Sequence, residues 1–396
     1  MKIAKLEDFH ADGGWRTWSF LKVTTDEGLV GWAEYAEGFG AGGVSDLIRR
    51  FASIVTGMDP RAVGRITSSL HAITRLAAGG LNNQAIAAIE NACLDIKAKA
   101  LGVPVCALFG GPFRERLPLY WSHCGSFRAR MPEMFARWGR GPIETYADIT
   151  ALAKEAVARG FVAVKANPLS IEDGKLKMFE SGFRVHPKLL DRNIDNRFLH
   201  DIEMLLGAFR DGLGPDAGLM LDLNFAQRPE GFLRVARAVQ PYDLTWLEID
   251  MHDAPALARV RHVSNVPIAS LESIHGLKSY RPYFDEQAVD VAVVDVPWNG
   301  LWESVRIATL ADAHEVNVAP HNFYGDLATL MSAHFCAAVP NFRIMEIEVD
   351  DVPWKSDLVT LAPVIEKGEL LVPTAPGWGA EINEEALRAH PAKVAR

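Results

Sequence analysis

The chain of 396 residues carries 49% hydrophobic and 23% charged side chains, the make-up of a globular protein with length for one large or two medium domains. Its 41 basic against 50 acidic residues leave a net charge of -9, which gives no general attraction to phosphate backbones or anionic lipid, so neither nucleic acid nor a membrane is an expected partner. Cys93, Cys106, Cys124 and Cys336 have no CxxC spacing; three of them read as packing residues, and a reducing, cytoplasmic setting fits best. The opening MKIAKLEDFHADGG resembles neither a signal nor a transit peptide, and no window reaches the apolar length of a membrane span.

Residues 1–115 read as an α+β block. Ser19 to Val23 and Leu29 to Glu34 alternate around the turn Asp26-Glu27-Gly28 as a hairpin would. Leu47 to Ile54, Arg61 to Leu70 and Asn83 to Leu101 then carry apolar residues three and four apart, and Gly102 with Pro104 supplies a stop. From Leu117 the pattern becomes short apolar runs separated by amphipathic helical stretches, the signature of βα units. The runs are Leu117 to Ser122, Phe161 to Asn167, Gly218 to Asn224, Leu244 to Glu248, Pro267 to Leu271, Val289 to Asp295, Asn317 to Ala319 and Arg343 to Glu348. Eight of them across residues 116–360 point to a closed barrel; an open doubly wound sheet fits less well, since no GxGxxG follows the first run. Pro168 to Arg197 interrupts the second unit with a polar stretch far longer than an ordinary connection, either a functional loop or a surface decoration or oligomer contact. Residues 361–396, with Pro363, Pro373 and Pro376, are expected to fold back onto the N-terminal block.

The runs end in polar residues: Lys165 and Asn167, Asp222 and Asn224, Glu248, Glu272, Asp295, His321, and Glu346 with Glu348. In a parallel barrel these ends form the open mouth. Carboxylates gathered there repel one another and lose hydration, a cost that a cation removes. Asp222, Glu248 and Glu272 fall one βα unit apart on consecutive strands, a hard oxygen set suited to Mg2+ or Mn2+. Each acid by itself also fits a helix N-cap or a solvated loop. Asp295 and His321, on the next two strands, can form a pair in which the carboxylate fixes the imidazole tautomer. His123 in YWSHC is the best reserve histidine, and His186 in the interruption a weaker one.

The order Lys, Asp, Glu, Glu, Asp, His, Glu along successive strands resembles the mandelate racemase and muconate lactonizing branch of the enolase superfamily. The segment AAIENACLDIKAKALGVPVCALFGG and the contexts LDLN, VPIASLES and APHN extend the likeness over nearly the whole chain. The resemblance implies a modified (β/α)7β TIM barrel under an α+β capping domain completed by the C-terminal tail. It implies metal ligands at Asp222, Glu248 and Glu272, an acid/base dyad of His321 and Asp295, and Glu346 as the glutamate that bonds the substrate carboxylate from the side away from the metal, with Glu348 as the fallback if the register slips by two. It also assigns Gly13-Gly14-Trp15-Arg16 to the loop that closes the site, Trp15 and Arg16 offering apolar and anionic contacts. One departure matters. Where many members carry Lys-x-Lys, this chain reads VKANP, so Lys165 keeps the first lysine and Asn167, which cannot accept a proton, replaces the second.

The expected activity is that of a lyase that abstracts the α-proton of a small hydroxy acid with Mg2+ or Mn2+ bound. Dehydration of an acid sugar to a 2-keto-3-deoxy acid is the first expectation, and racemisation, epimerisation or lactone cycloisomerisation the alternative. Lys165 and Glu346 would stabilise the developing enediolate. Asn167, Asn224, Trp15, Arg16 and His123 would contact substrate. His321 serving both proton transfers on one face predicts syn elimination; the alternative division has Lys165 as base and His321 as acid. A homo-oligomer is expected.

Overall fold

A computed structural model describes residues 1–38, 42–179, 192–224 and 227–393. Within them the capping region begins with a strand that the sequence pattern does not reveal, β1 (Ile3–Asp12), followed by β2 (Thr17–Thr25) and β3 (Val30–Ala36) in an antiparallel β1-β2-β3 sheet. Most of β1 is only partly buried, so charged residues break the apolar alternation that marks its neighbours. Helices α1 (Val44–Val55), α2 (Val63–Ile73) and α3 (Gly80–Leu101) follow. All three expected helices are present. Gly102, with φ 70°, takes the left-handed turn that ends α3.

The eight apolar runs form eight parallel strands: β4 (Arg116–Ser122), β5 (Ala163–Ala166), β8 (Gly218–Asp222), β9 (Trp246–Glu248), β10 (Ile268–Ser270), β11 (Val291–Asp295), β12 (Asn317–His321) and β13 (Met345–Glu348). They lie side by side in chain order, and β13 returns to pair with β4. The seam between β12 and β13 is spanned by a single parallel bridge, Val318 to Phe342. Outside run α6 (Tyr146–Ala158), α7 (Asn196–Leu213), α8 (Pro229–Ala238), α9 (Ala254–Val263), α10 (Leu277–Asp285), α12 (Leu301–Asp312) and α13 (Asp326–Ala338), with the short α4 (Ser126–Arg130), α5 (Pro132–Arg137) and α11 (Val296–Asn299) in the connections.

Two places differ from the expected pattern. The interruption after β5 is not wholly loop: β6 (Leu169–Glu172) and β7 (Lys175–Met178) make an antiparallel hairpin around Asp173-Gly174, while His186 lies outside the described residues. The tail first joins the barrel, because β14 (Ile365–Glu366) and β15 (Glu369–Leu371) form a hairpin whose second strand runs antiparallel to β4. Only afterwards does it reach the cap, where Trp378 N–H donates to Asp95 at 3.0 Å, its indole donates to Trp32 O at 2.7 Å, and α14 (Glu384–Ala389) packs on β1.

Cap and barrel are joined by buried polar side chains that receive helix starts. Glu90 on α3 accepts from Trp302 N–H at 2.9 Å and Asn91 accepts from Leu301 N–H at 2.8 Å, filling the open donors at the start of α12. Glu34 on β3 accepts from Gly325 N–H at 2.7 Å and Ala328 N–H at 2.9 Å at the start of α13. Gly300 has to be glycine there, since a Cβ would stand 2.3 Å from Glu90 Oε1. Burial pushes the Glu90 carboxyl up to about 8 despite these donors. An exposed carboxyl in the unfolded chain loses its proton near pH 4.3, so between that pH and about 8 the unfolded state binds fewer protons and stability falls as pH rises. We predict that Glu90→Gln removes this slope: between pH 5 and 8 its urea unfolding free energy gains on the wild type by up to about 1.4 kcal/mol per pH unit. Parallel pH profiles would contradict the account.

Candidate active site at the barrel mouth

Inside the barrel a separate apolar plug is formed by Tyr120, Ala163, Met220, Trp246, Ala269, Val291, Val293, Ala319 and Ile344. Strand side chains alternate, so the residue two positions further along each strand points inward again, one layer closer to the mouth. Two beyond Tyr120, Ala163, Met220, Trp246, Val293, Ala319 and Ile344 stand Ser122, Lys165, Asp222, Glu248, Asp295, His321 and Glu346. The plug fixes the depth of this polar layer.

Strand β10 breaks the rule, because two beyond Ala269 is Leu271 and the acid is Glu272. The backbone corrects the register at Leu271, which adopts φ 93°, a conformation that costs a leucine on the order of 1–3 kcal/mol. Asp250 Oδ1 accepts from Leu271 N–H at 2.9 Å and from Ser270 Oγ at 3.1 Å. Tyr280 from α10 donates to Leu271 O at 3.0 Å. Asn224, with φ 53°, is half-buried at the end of β8, its N–H donating to Asp222 Oδ1 at 2.8 Å.

Electrostatics centre on the buried Lys165. Its ammonium lies 3.0 Å from Glu248 Oε2, 3.0 Å from Glu346 Oε1 and 3.8 Å from Asp222 Oδ2. Glu346 also receives the Ser122 hydroxyl and, at 2.7 Å, Asn322 N–H. Burial raises its carboxyl, but Lys165 and the nearby imidazoles outweigh that and hold it down at about 2. Glu248 gains Lys165 and the Trp246 indole at 3.0 Å, yet burial and the facing Asp222 leave it raised. The same ammonium thus favours Glu346, which has more donors and fewer acidic neighbours. Asp222 is raised by burial as well. Glu272 is raised well above the usual range by burial, with His321 Nε2 at 3.6 Å.

Asp295 and His321 pair in register on β11 and β12, and His321 Nδ1 sits 2.6 Å from Asp295 Oδ2. Tyr324 donates to the same oxygen at 2.5 Å, and Asp295 Oδ1 caps α11 through Trp298 N–H at 2.7 Å. Burial lowers the His321 imidazole, but Glu272 and Asp295 outweigh it and bring it to about 10.

Of the expected substrate contacts, Asn167 is buried with both amide atoms lacking a partner among the described residues. Arg16 pairs with Asp351 at 2.5 Å and lies 5.3 Å from the Phe323 ring; its Nε and Nη1 are buried without partners among the described residues. Trp15 packs on Phe127 at 5.0 Å, and Phe127 stacks on His123 at 4.5 Å. Sequence reasoning missed Ser122, Asp250, Tyr280 and Tyr324. Ser122 and Asp250 carried the same two-residue alternation as their neighbours, but Tyr280 and Tyr324 left no local signal.

As they stand, no three acidic, histidine or cysteine side chains among the described residues are close enough to grip one ion; Lys165 sits between Asp222 and Glu248. The donor set nevertheless fits a hard divalent cation. Asp222 and Glu248 are buried and Glu272 part-buried oxygen donors, each raised by desolvation and each feeling the charge of another acid.

Residues 148–386 match the family described as enolase C-terminal domain-like, and residues 14–110 match the mandelate racemase / muconate lactonizing enzyme N-terminal domain. A candidate L-alanine-DL-glutamate epimerase from Burkholderia xenovorans strain LB400, solved with magnesium and fumarate, superposes with a TM-score of 0.95 at 45% identity, over 99% of this chain and 97% of that one. The D-xylonate dehydratase of Haloferax volcanii is 28% identical over 98% of this chain and 89% of its own length. The D-gluconate dehydratase of Thermoproteus tenax is 27% identical over 98% and 73%. Fold and strand-end residues together define an enzyme of the enolase superfamily. Within it, the chain belongs to the mandelate racemase and muconate lactonizing branch.

Removing the ammonium leaves Glu248 and Glu346 with neutral hydrogen-bond donors but no counter-charge between them. Without divalent ions, Lys165→Met is expected to lower unfolding stability by about 3–5 kcal/mol, and Glu248→Gln in the same chain to restore part of it. Urea denaturation equal to wild type would contradict this.

Proposed function

We propose that the protein dehydrates an acid sugar, removing the proton next to the carboxylate and expelling the neighbouring hydroxyl to give a 2-keto-3-deoxy acid, with Mg2+ held by Asp222, Glu248 and Glu272. The observation that carries this reading is the ring of strand ends in which the buried Asp222 and Glu248 and the part-buried Glu272 face a histidine–aspartate dyad across one mouth. When bound, a divalent cation there supplies positive charge to the substrate carboxylate and to the negative charge that grows as the α-proton leaves. Lys165, fixed among carboxylates, adds a second positive charge and is engaged too firmly to serve as base. Glu346, held by Ser122 and Asn322, would contact the substrate carboxylate through a shared proton, since two bare carboxylates repel.

His321 moves a proton at Nε2, because Asp295 and Tyr324 fix the Nδ1 side of the ring. Its upward shift owes much to Glu272, so neutralising that acid returns the imidazole toward the range useful for proton transfer. The unpartnered nitrogens of Arg16 and the amide of Asn167 suit the anionic and hydroxyl groups of a sugar acid. Dehydration is favoured over racemisation because Asn167 stands where a second lysine would be needed. The names of the Haloferax and Thermoproteus relatives support the same choice, and the Burkholderia relative's name supports epimerisation as the second reading.

A panel of mono- and diacid sugars followed by proton NMR in D2O with Mg2+ tests this. The expected result is a 2-keto-3-deoxy product that disappears when the metal is chelated; α-deuterium with no loss of water would move the assignment to the isomerases. His321→Asn is expected to lower dehydration by about 10²- to 10⁴-fold, and full activity in that variant would sink the assignment. Because Tyr280 and Asp250 aim Glu272 through Leu271, Tyr280→Phe is expected to weaken Mg2+ binding about tenfold, read as a smaller Mg2+-dependent rise in melting temperature; an unchanged rise would contradict it.

A further inference from the structure

A second carboxylate–imidazole pair stands at the same mouth. Glu346 on β13 lies between two strands, β12 carrying His321 and β4 running into His123. The two sides repeat each other. Glu346 accepts from Asn322, the residue after His321, and from Ser122, the residue before His123. His321 Nδ1 is bound by Asp295, and His123 Nδ1 lies 2.8 Å from Glu348 Oε2. Both rings flank Phe323, with centroids 5.1 and 5.8 Å from it. No described residue bonds His123 Nε2, although its side chain is only 14% exposed.

The backbone is strained to achieve this. His123 adopts φ 48°, a left-handed conformation that costs a non-glycine residue about 1–2 kcal/mol, and the turn is locked by Ser126 N–H to His123 O at 2.8 Å and Cys124 N–H to Lys165 O at 2.9 Å. Such strain at a site rim points toward function.

We infer that His123, oriented by Glu348, is a second proton-transfer group, taking the α-proton at Nε2 while His321 protonates the departing hydroxyl from the other side of Glu346. The inference rests on the dehydratase reading and supplies the role that Asn167 cannot fill. The C–H bond breaks with its proton going to His123 Nε2 and its electron pair forming the carbon–carbon double bond. The C–O bond breaks and the hydroxyl leaves as water with the Nε2 proton of His321; the enol then ketonises, and solvent exchange resets both rings. Proton and hydroxyl leave from different sides, so elimination is anti, not syn.

Burial pushes the His123 imidazole down to about 4, so the ring is neutral at working pH, as a base must be. Burial and the neighbouring Asp350 push Glu348 up, opposed by Arg16 and Lys355. Asp350 N–H donates to its Oε1 at 3.1 Å, and in the tautomer whose Nδ1–H donates to Oε2 at 2.8 Å the His123 Nε2 lone pair is free.

Proton NMR in D2O with Mg2+ and a substrate that turns over separates α-proton exchange from loss of water. His321→Asn should keep exchange within about tenfold of wild type while water loss falls at least about 100-fold. His123→Asn should lose both by at least about 100-fold with KM changed only a few-fold. Glu348→Gln should lower both by about 10- to 100-fold, and it decides the matter if His123→Asn does not fold, which the Mg2+-dependent rise in melting temperature reports. Wild-type exchange and dehydration in His123→Asn, or loss of exchange in His321→Asn, would overturn the inference. A wild type inert toward every acid sugar would instead sink the dehydratase reading itself, and this inference with it.

Discussion

One ammonium group, that of Lys165, is shared among Asp222, Glu248 and Glu346 deep in the barrel mouth, and the site is organised around the resulting shortage of positive charge. Buried carboxylates are tolerated only when paired or coordinated. Glu346 is satisfied by Lys165, Ser122 and Asn322, whereas among the described residues the positive partner beside Glu272 is His321, 3.6 Å away. The imbalance lies on the β8, β9 and β10 side, where a cation would be held. On the β12, β13 and β4 side the acids are already committed to imidazoles, hydroxyls and backbone N–H groups. In the proposed function this asymmetry would divide the mouth into a wall that holds the cation and a wall that moves protons.

The fold holds these groups at one depth. An apolar plug two residues beneath them fills the barrel, so the alternation that makes a strand also sets the polar layer. Where the alternation fails, at Leu271, the chain accepts an unfavourable φ and restrains it with Asp250 and Tyr280. The cap is fixed to this platform by carboxylates seated on helix starts, Glu90 on α12 and Glu34 on α13. Glu34 accepts from Gly325, the residue after Tyr324, and Tyr324 bonds Asp295, so cap docking and the orientation of His321 share a short stretch of chain.

Much of this was legible in the sequence. The eight apolar runs correspond to eight parallel strands, because buried parallel strands are continuous apolar segments with polar ends. Strand-end acids stood out because a carboxylate closing such a run is costly. The features that stayed hidden depend on contacts distant in sequence. Tyr280 reaches Leu271 from a helix, the β14–β15 hairpin pairs with β4 across the chain, and β1 carries too many charges on its exposed side to alternate visibly. His123 was visible as a histidine at a strand end, but its partner Glu348 lies 225 residues away and no spacing rule links them.

The central claim is that Asp222, Glu248 and Glu272 serve one cation. Diffraction data from crystals grown with Mn2+, collected at the manganese absorption edge, test it directly. The account predicts one anomalous peak with a carboxylate oxygen of each of the three within about 2.0–2.3 Å. A peak elsewhere, or one touching fewer than two of them, would contradict it.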